Sequence, residues 1–228
     1  MSLEINNLSK SFSGIKALDK ISFKANPGDI VGILGPNGAG KSTMMKIITG
    51  YYQQTDGEIY VCGKETLENR TLTQTKIGYL SEENPLYSDM YVLEFLEFIC
   101  DIHKINYINC KNILSLTGLQ KVKHQKINTL SKGFKQRVGI AQALIHKPEL
   151  IILDEPTSGL DPKQLIEIRK IITNIGKETT ILLSTHIFQE VVAMCNRVII
   201  LHKGKIVANQ TTKEVENNIE EKFLQLTK

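Results

Sequence analysis

Apolar positions recur along this chain with two periods, and the change between them predicts the elements. Leu3–Leu8 and Leu18–Phe23 alternate in part, as half-buried strands do, with a turn signal at Pro27-Gly28-Asp29. Ile30–Leu34 is an unbroken apolar run that ends in a glycine-rich loop; it predicts a buried strand, with a helix over Lys41–Thr49 behind it. Val92, Phe95, Leu96, Ile99 and Ile102 fall on one face of a helix over Val92–His103. Further helices are expected over Tyr107–Leu116, closed by Gly118, and Phe134–Ile145, stopped at Lys147-Pro148. Strand and helix then alternate. Leu150–Leu153, Ile181–Ser184, Val198–Leu201 and Lys205–Ala208 read as strands, the last two around the turn at Lys203-Gly204. Leu165, Ile168, Ile172 and Ile175 mark one intervening helix, and Phe188, Val191, Val192 and Cys195 mark the other. Such alternation implies an α/β core with a parallel sheet. Around it stand a small β-rich N-terminal part and a helical insert at about 85–145.

Composition narrows the class. The 228 residues are 41% hydrophobic and 23% charged, ordinary for a globular protein. The longest stretches free of Asp, Glu, Lys and Arg, residues 30–40 and 179–189, are far shorter than the roughly 20 apolar residues of a spanning helix. The opening MSLEINNLSK lacks the basic and apolar regions of a signal peptide. The four cysteines, at 62, 100, 110 and 195, have no metal-ligand or CxxC spacing and read as reduced thiols of a cytosolic protein. A net charge of +4 with interspersed signs shows no basic stripe, so nucleic acid is not expected as a partner.

The candidate chemistry begins at Gly35-Pro36-Asn37-Gly38-Ala39-Gly40-Lys41-Ser42, followed by Thr43. This is the G-x-x-x-x-G-K-[ST] P-loop, set between the expected strand and helix. Its backbone N–H groups and the helix N-terminus suit phosphate. Lys41 supplies a cation for the β- and γ-phosphates, and the Ser42 hydroxyl can ligate Mg²⁺. Ile151-Ile152-Leu153-Asp154-Glu155 places two carboxylates at the end of a buried strand, where open α/β sheets bind ligands. Asp154 can hold the Mg²⁺ shell, and Glu155 can orient or deprotonate an attacking water. Leu130-Ser131-Lys132-Gly133-Phe134 reads by itself as a serine-capped helix start.

Taken in order, the P-loop, LSKGF, ILDEP, Ser158-Gly159-Leu160-Asp161 and His186 resemble an ABC ATPase nucleotide-binding domain, from about Leu3 to Ala208. The resemblance implies a P-loop NTPase fold: a RecA-like core lobe at about 1–84 and 146–228, an N-terminal antiparallel β subdomain, and a helical subdomain at about 85–145, together one domain. It implies ATP and Mg²⁺ as ligands, a second nucleotide-binding subunit (a homodimer in the simplest case) and a separate integral-membrane permease. The chain would sit in the cytoplasm, peripheral to the membrane through that permease. Ser131 and Gly133 would act on the γ-phosphate held by the partner, with Asp161 at the dimer interface. His186 would contact the γ-phosphate, and Phe12 would stack on adenine. Glu82 stands where the family usually has glutamine, and its carboxylate offers an oxygen to Mg²⁺. LSKGF departs from the commoner LSGGQ but keeps Ser131 and Gly133. The family's permease groove would involve the segment from Glu83 to Tyr91. That segment with its flanks also resembles the ATP-binding subunit tied to bacterial gliding motility, within the class that exports drugs or polysaccharides. A soluble ABC ATPase is the alternative, but only 112 positions separate Ser42 from Asp154, too few for a long coiled-coil insert. A non-transport ATP-dependent regulator is the other alternative, disfavoured because Lys41, Asp154, Glu155 and His186 are all present.

Overall fold

The computed structural model describes residues 1–215 and 219–226. In chain order the strands are β1 (Leu3–Phe12), β2 (Ile15–Ala25), β3 (Ile30–Leu34), β4 (Asp56–Val61), β5 (Lys64–Glu65), β6 (Ile77–Leu80), β7 (Leu150–Asp154), β8 (Thr180–Thr185), β9 (Arg197–His202) and β10 (Lys205–Thr211). The helices are α1 (Lys41–Ile48), α2 (Arg70–Gln74), α3 (Val92–His103), α4 (Ile108–Leu116), α5 (Lys132–Leu144), α6 (Pro162–Ile175), α7 (Phe188–Met194), α8 (Thr212–Val215) and α9 (Ile219–Leu226). Among the described residues no helix is long and apolar enough to cross a membrane.

Two sheets form. One is antiparallel, in the order β2-β1-β4-β5. The other runs β10-β9-β3-β8-β7-β6, parallel throughout except for the β9–β10 hairpin. Side chains alternate across a strand, and here the alternation divides the apolar interior into two cores. Val31, Ile33, Leu150, Ile152, Leu182 and Ile199 face the core shared with α1 and the antiparallel sheet. Leu34, Ile151, Leu153, Ile181, Leu183 and Ile200 face the core shared with α3 to α7. The strands of the parallel sheet are therefore apolar on both faces, which is why they read as runs rather than as alternating segments.

The expected strands and helices are present, with differences at their ends. β1 continues to Phe12 and β2 begins at Ile15, because Ser13 and Gly14 both adopt positive φ and close a tight hairpin. α5 begins at Lys132, ahead of the expected Phe134, because Ser131 caps it. β4, β5, β6, α2, α8 and α9 are additions to the pattern. β6 escapes notice because Gly78 interrupts it; a Cβ there would stand 2.0 Å from Ala143 O, so the glycine lets α5 lie directly on the strand. Ile102 and Val192, placed by periodicity on buried faces, are exposed, since no neighbouring element reaches that far round α3 or α7. In the insert, Leu93 N donates to Lys123 O (2.9 Å) and Val92 N to Gln125 O (3.1 Å), tying the approach to α5 against the start of α3.

Candidate active site

The loop from Gly35 to Gly40 leads from the buried end of β3 into α1. Gly40 has φ of 105°, and a Cβ there would come within 2.8 Å of Ala17 O, so only glycine fits this turn into the helix. The first helical bond of α1 runs from Met44 N to Gly40 O at 2.9 Å. The N–H groups of Lys41, Ser42 and Thr43 precede it and have no earlier turn to bond. No side chain caps this N-terminus and no acidic residue occupies its first turn, which leaves its positive end for an anion. The Lys41 side chain folds back over the loop. Its Nζ donates to Gly35 O at 2.8 Å and Pro36 O at 3.3 Å, and lies 3.7 Å from Glu155 Oε1.

Strand parity places the acidic pair. Leu150 and Ile152 face α1, so Asp154, two residues further along the same strand, points to that side. Asp154 Oδ1 accepts from Ser42 Oγ at 3.1 Å and from Ser184 Oγ at 2.5 Å. Ser184 Oγ in turn accepts from Glu155 N at 2.9 Å. Glu155 is a non-glycine residue with φ of 49°, a strained conformation that its surroundings enforce. His186 Nδ1 lies 3.0 Å from Glu155 Oε2. An ionised carboxylate only accepts, so Nδ1 carries the hydrogen of this bond and Nε2 points elsewhere. Glu155 is buried whereas His186 is half exposed.

Asn37 to Thr43, Glu82, Glu155 and His186 line one cavity of about 520 Å³. An adjoining cavity of about 370 Å³ shares Ser42 and Glu82 with it and adds Tyr79 and Asp154. Ser42, Asp154 and Glu82 offer hard oxygen donors, the set that suits Mg²⁺. Among the described residues no three or more His, Cys, Asp or Glu gather as a metal site. The donor set therefore fits a cation completed by phosphate oxygens and water rather than one caged by protein. Burial raises the pKa of the Tyr79 phenol, and the charges of Asp154 and Glu82 raise it further.

Phe12, Ser131, Gly133 and Asp161 line neither cavity, and nor do Gly35 and Pro36 at the start of the loop. Phe12, at the end of β1, is 39% exposed, edge-on to Tyr52 at 5.4 Å, with Lys10 Nζ 4.8 Å from its ring. Ser131 Oγ accepts from Phe134 N at 3.4 Å at the start of α5. Gly133 packs so closely on α6 that a Cβ would stand 2.5 Å from Gln164. Asp161 caps α6, accepting from Gln164 N at 2.9 Å.

The structure also brings in residues that motif reading passed over. Ser184 joins Asp154 to the backbone of Glu155; its signal is a serine at the end of the apolar run Ile181–Leu183. Gln136 is buried on α5, and its Nε2 donates to Pro156 O at 2.9 Å, in the loop just after Glu155. Asn84, beside Glu82, donates to Lys135 O at 3.0 Å and to Gln136 Oε1 at 3.4 Å. An amide on the buried face of a helix is the signal for Gln136.

The family model described as ABC transporter matches residues 18–158. The lantibiotic transport ATP-binding protein of Streptococcus pyogenes is 37% identical over 222 residues, 97% of this chain and 95% of the relative. The bacitracin transport ATP-binding protein of Bacillus licheniformis is 37% identical over 210 residues, 90% of this chain and 68% of the relative. A solved ATP-binding subunit of an ABC transporter superposes over 100% of both chains with a TM-score of 0.89 at 28% identity. A dimeric ATP-binding cassette in a post-hydrolysis state, bound to ADP and phosphate, superposes over 92% of this chain and 98% of its own, with a TM-score of 0.83 at 27% identity. With a P-loop, a paired Asp154–Glu155 strand end and a histidine on the second carboxylate, and with these relatives, the chain belongs to the ABC transporter ATP-binding family.

Proposed function

We propose that this chain binds and hydrolyses ATP as the motor subunit of an ABC exporter whose membrane-crossing part is a separate permease. The observation that carries this reading is the convergence of Lys41, Ser42, Glu82, Glu155 and His186 on one cavity at the N-terminus of α1. The P-loop N–H groups hold the phosphates, and Lys41 shifts from the Gly35 and Pro36 carbonyls to the β- and γ-phosphate oxygens. Ser42, Asp154 and Glu82 would hold Mg²⁺, which would supply neutralisation of phosphate charge. Glu155 orients and deprotonates the attacking water, and His186 positions Glu155 through Nδ1 while its outer edge meets the γ-phosphate. Catalysis of this kind needs positioning and charge more than covalent chemistry.

Phe12 stacks on adenine from the rim. Ser131 and Gly133 lie outside the cavity because they serve the nucleotide of a second copy, in a homodimer with Asp161 at its interface. The dimeric cassette among the solved relatives supports that arrangement. ATP binding closes the dimer and hydrolysis reopens it, a two-state element biased by ligand. A core lobe at 1–84 and 146–228 and a helical lobe at 85–145 move against each other. The permease takes its signal at the Glu83–Tyr91 segment, where Tyr87 and Tyr91 are exposed. The chain works on the cytoplasmic side of the membrane, and nucleic acid is not a partner. The relatives named for bacitracin and lantibiotic transport support a transport role.

The test is Glu155→Gln, assayed for nucleotide binding, assembly state and turnover. The expected result is retained ATP binding, an ATP-dependent dimer by light scattering, and a loss of turnover of at least about a hundredfold. Turnover at the wild-type rate would remove Glu155 from the reaction.

A further inference from the structure

The Tyr79 hydroxyl has no function in the scheme above, yet it is buried and has no hydrogen-bond partner among the described residues. A hydroxyl withdrawn from water and left unpaired is costly, and such a group in a native fold calls for a partner that arrives later. Its place is informative. β6 lies beside β7, with Tyr79 opposite Ile152. Ile77 and Tyr79 face the α1 side, as do Ile152 and Asp154. Tyr79 thus lines the same cavity of about 370 Å³ as Ser42, Asp154 and Glu82. A phenol has one proton to donate, and the carboxylates in this cavity only accept. Asp154 accepts from Ser42 and Ser184 on Oδ1 and is fixed at the end of β7, with Oδ2 left for a cation. Glu82 and Glu83 also line the cavity, both exposed and neither accepting a hydrogen bond among the described residues; of the two, Glu82 is the one whose charge bears on the Tyr79 phenol.

We propose that Tyr79 is a positioning residue for the metal site: its hydroxyl donates to Glu82 and draws that carboxylate over the Ser42–Asp154 pair when metal and nucleotide bind. Tyr79 touches neither phosphate nor cation and acts only through Glu82. The inference rests on the nucleotide site proposed above and deepens it. It also explains how a second carboxylate is accommodated beside Asp154, since the phenol proton offsets part of the repulsion between two like charges.

Tyr79→Phe removes the oxygen and keeps the ring. Mn²⁺ serves as the probe, its binding followed by electron paramagnetic resonance on the chain loaded with a non-hydrolysable ATP analogue. The expected result is Mn²⁺ affinity about fivefold weaker than wild type, the net worth of one typical intramolecular hydrogen bond. Analogue affinity in EDTA should be unchanged, and the nucleotide-free chain should melt no lower than wild type, because the oxygen has no partner there to lose. In a Glu82→Ala background, Tyr79→Phe should have no further effect on Mn²⁺. Unchanged Mn²⁺ affinity in Tyr79→Phe overturns the proposal, as does a fivefold loss that persists without Glu82. A lowered melting temperature with unchanged Mn²⁺ affinity assigns the hydroxyl to structure alone. If the wild-type chain fails to bind the analogue with or without metal, the nucleotide-site reading falls and this inference falls with it.

Discussion

Lys41 Nζ and Glu155 Oε1 stand 3.7 Å apart with both side chains more than nine-tenths buried, so the ammonium and the carboxylate restrain each other. Lys41→Ala leaves a buried carboxylate with His186 as its one remaining side-chain partner among the described residues. The expected cost is roughly 1–3 kcal/mol, the penalty for an unpaired buried polar group, seen as a melting temperature several degrees lower. The double variant with Glu155→Ala should recover part of that loss, because the stranded charge is gone. Nucleotide affinity should fall at least about tenfold in both. Thermal melts and equilibrium binding check these outcomes; additive destabilisation in the double variant would show that the pair does not interact.

Ser184 carries the geometry of the acidic pair. Ser184→Ala strands the buried Glu155 N–H and removes a donor from Asp154. The expected loss is again about 1–3 kcal/mol of stability, with turnover reduced more than ATP affinity, because the group that suffers is the one proposed to orient water. A variant that binds more weakly yet turns over normally when saturated would place Ser184 outside the reaction.

Gln136 ties α5 to the loop that follows Glu155. Gln136→Ala should leave ATP binding by the single chain within about twofold of wild type and lower turnover about tenfold or more, since small misplacements of reacting groups carry large rate costs. Steady-state turnover alongside binding of a fluorescent ATP analogue separates the two effects.

Stability should depend on pH through a histidine pair remote from the nucleotide. His146 and His103 stack with their centroids 4.1 Å apart and their planes 2° from parallel. Burial pushes the pKa of His146 down from 6.5 to about 4; repulsion from His103 adds to this, while the Ile77 carbonyl opposes it. The unfolded chain takes up a proton near 6.5 and the folded chain only near 4. Stability is therefore full above 6.5 and is lost as pH falls towards 4. The depressed carboxylates Glu4, Asp19 and Glu149 act below their ordinary values of 3.8 to 4.5, so melts between pH 5 and 6.5 isolate the histidines. His146→Gln should flatten the slope in that window; an unaltered slope would assign it to other groups.

The sequence disclosed the P-loop and the Asp154–Glu155 pair because their chemistry is contiguous. A phosphate cradle needs its glycines, lysine and serine within one turn, and those contacts are local. Ser184 and Gln136 were invisible for the opposite reason. Each acts across the fold, on Asp154 thirty positions away and on Pro156 twenty positions away, and a single polar residue announces neither partner. β6 was hidden by the same kind of distance, since its glycine makes sense only once α5 is known to lie on it. The exposure of Ile102 and Val192 marks the limit of periodicity, which gives the face of a helix but not how far its neighbours extend.

The alternation of side chains along β7 has one more consequence. A slip of one residue in that strand would put Leu153 where Asp154 belongs, and would at the same time turn Ile151 and Leu153 out of one core and into the other. Error in register would thus strike the apolar interior and the reacting group together. A copy of this strand that is out of register yet stably folded is hard to make, so survival of the fold is itself a check on the register that positions Asp154.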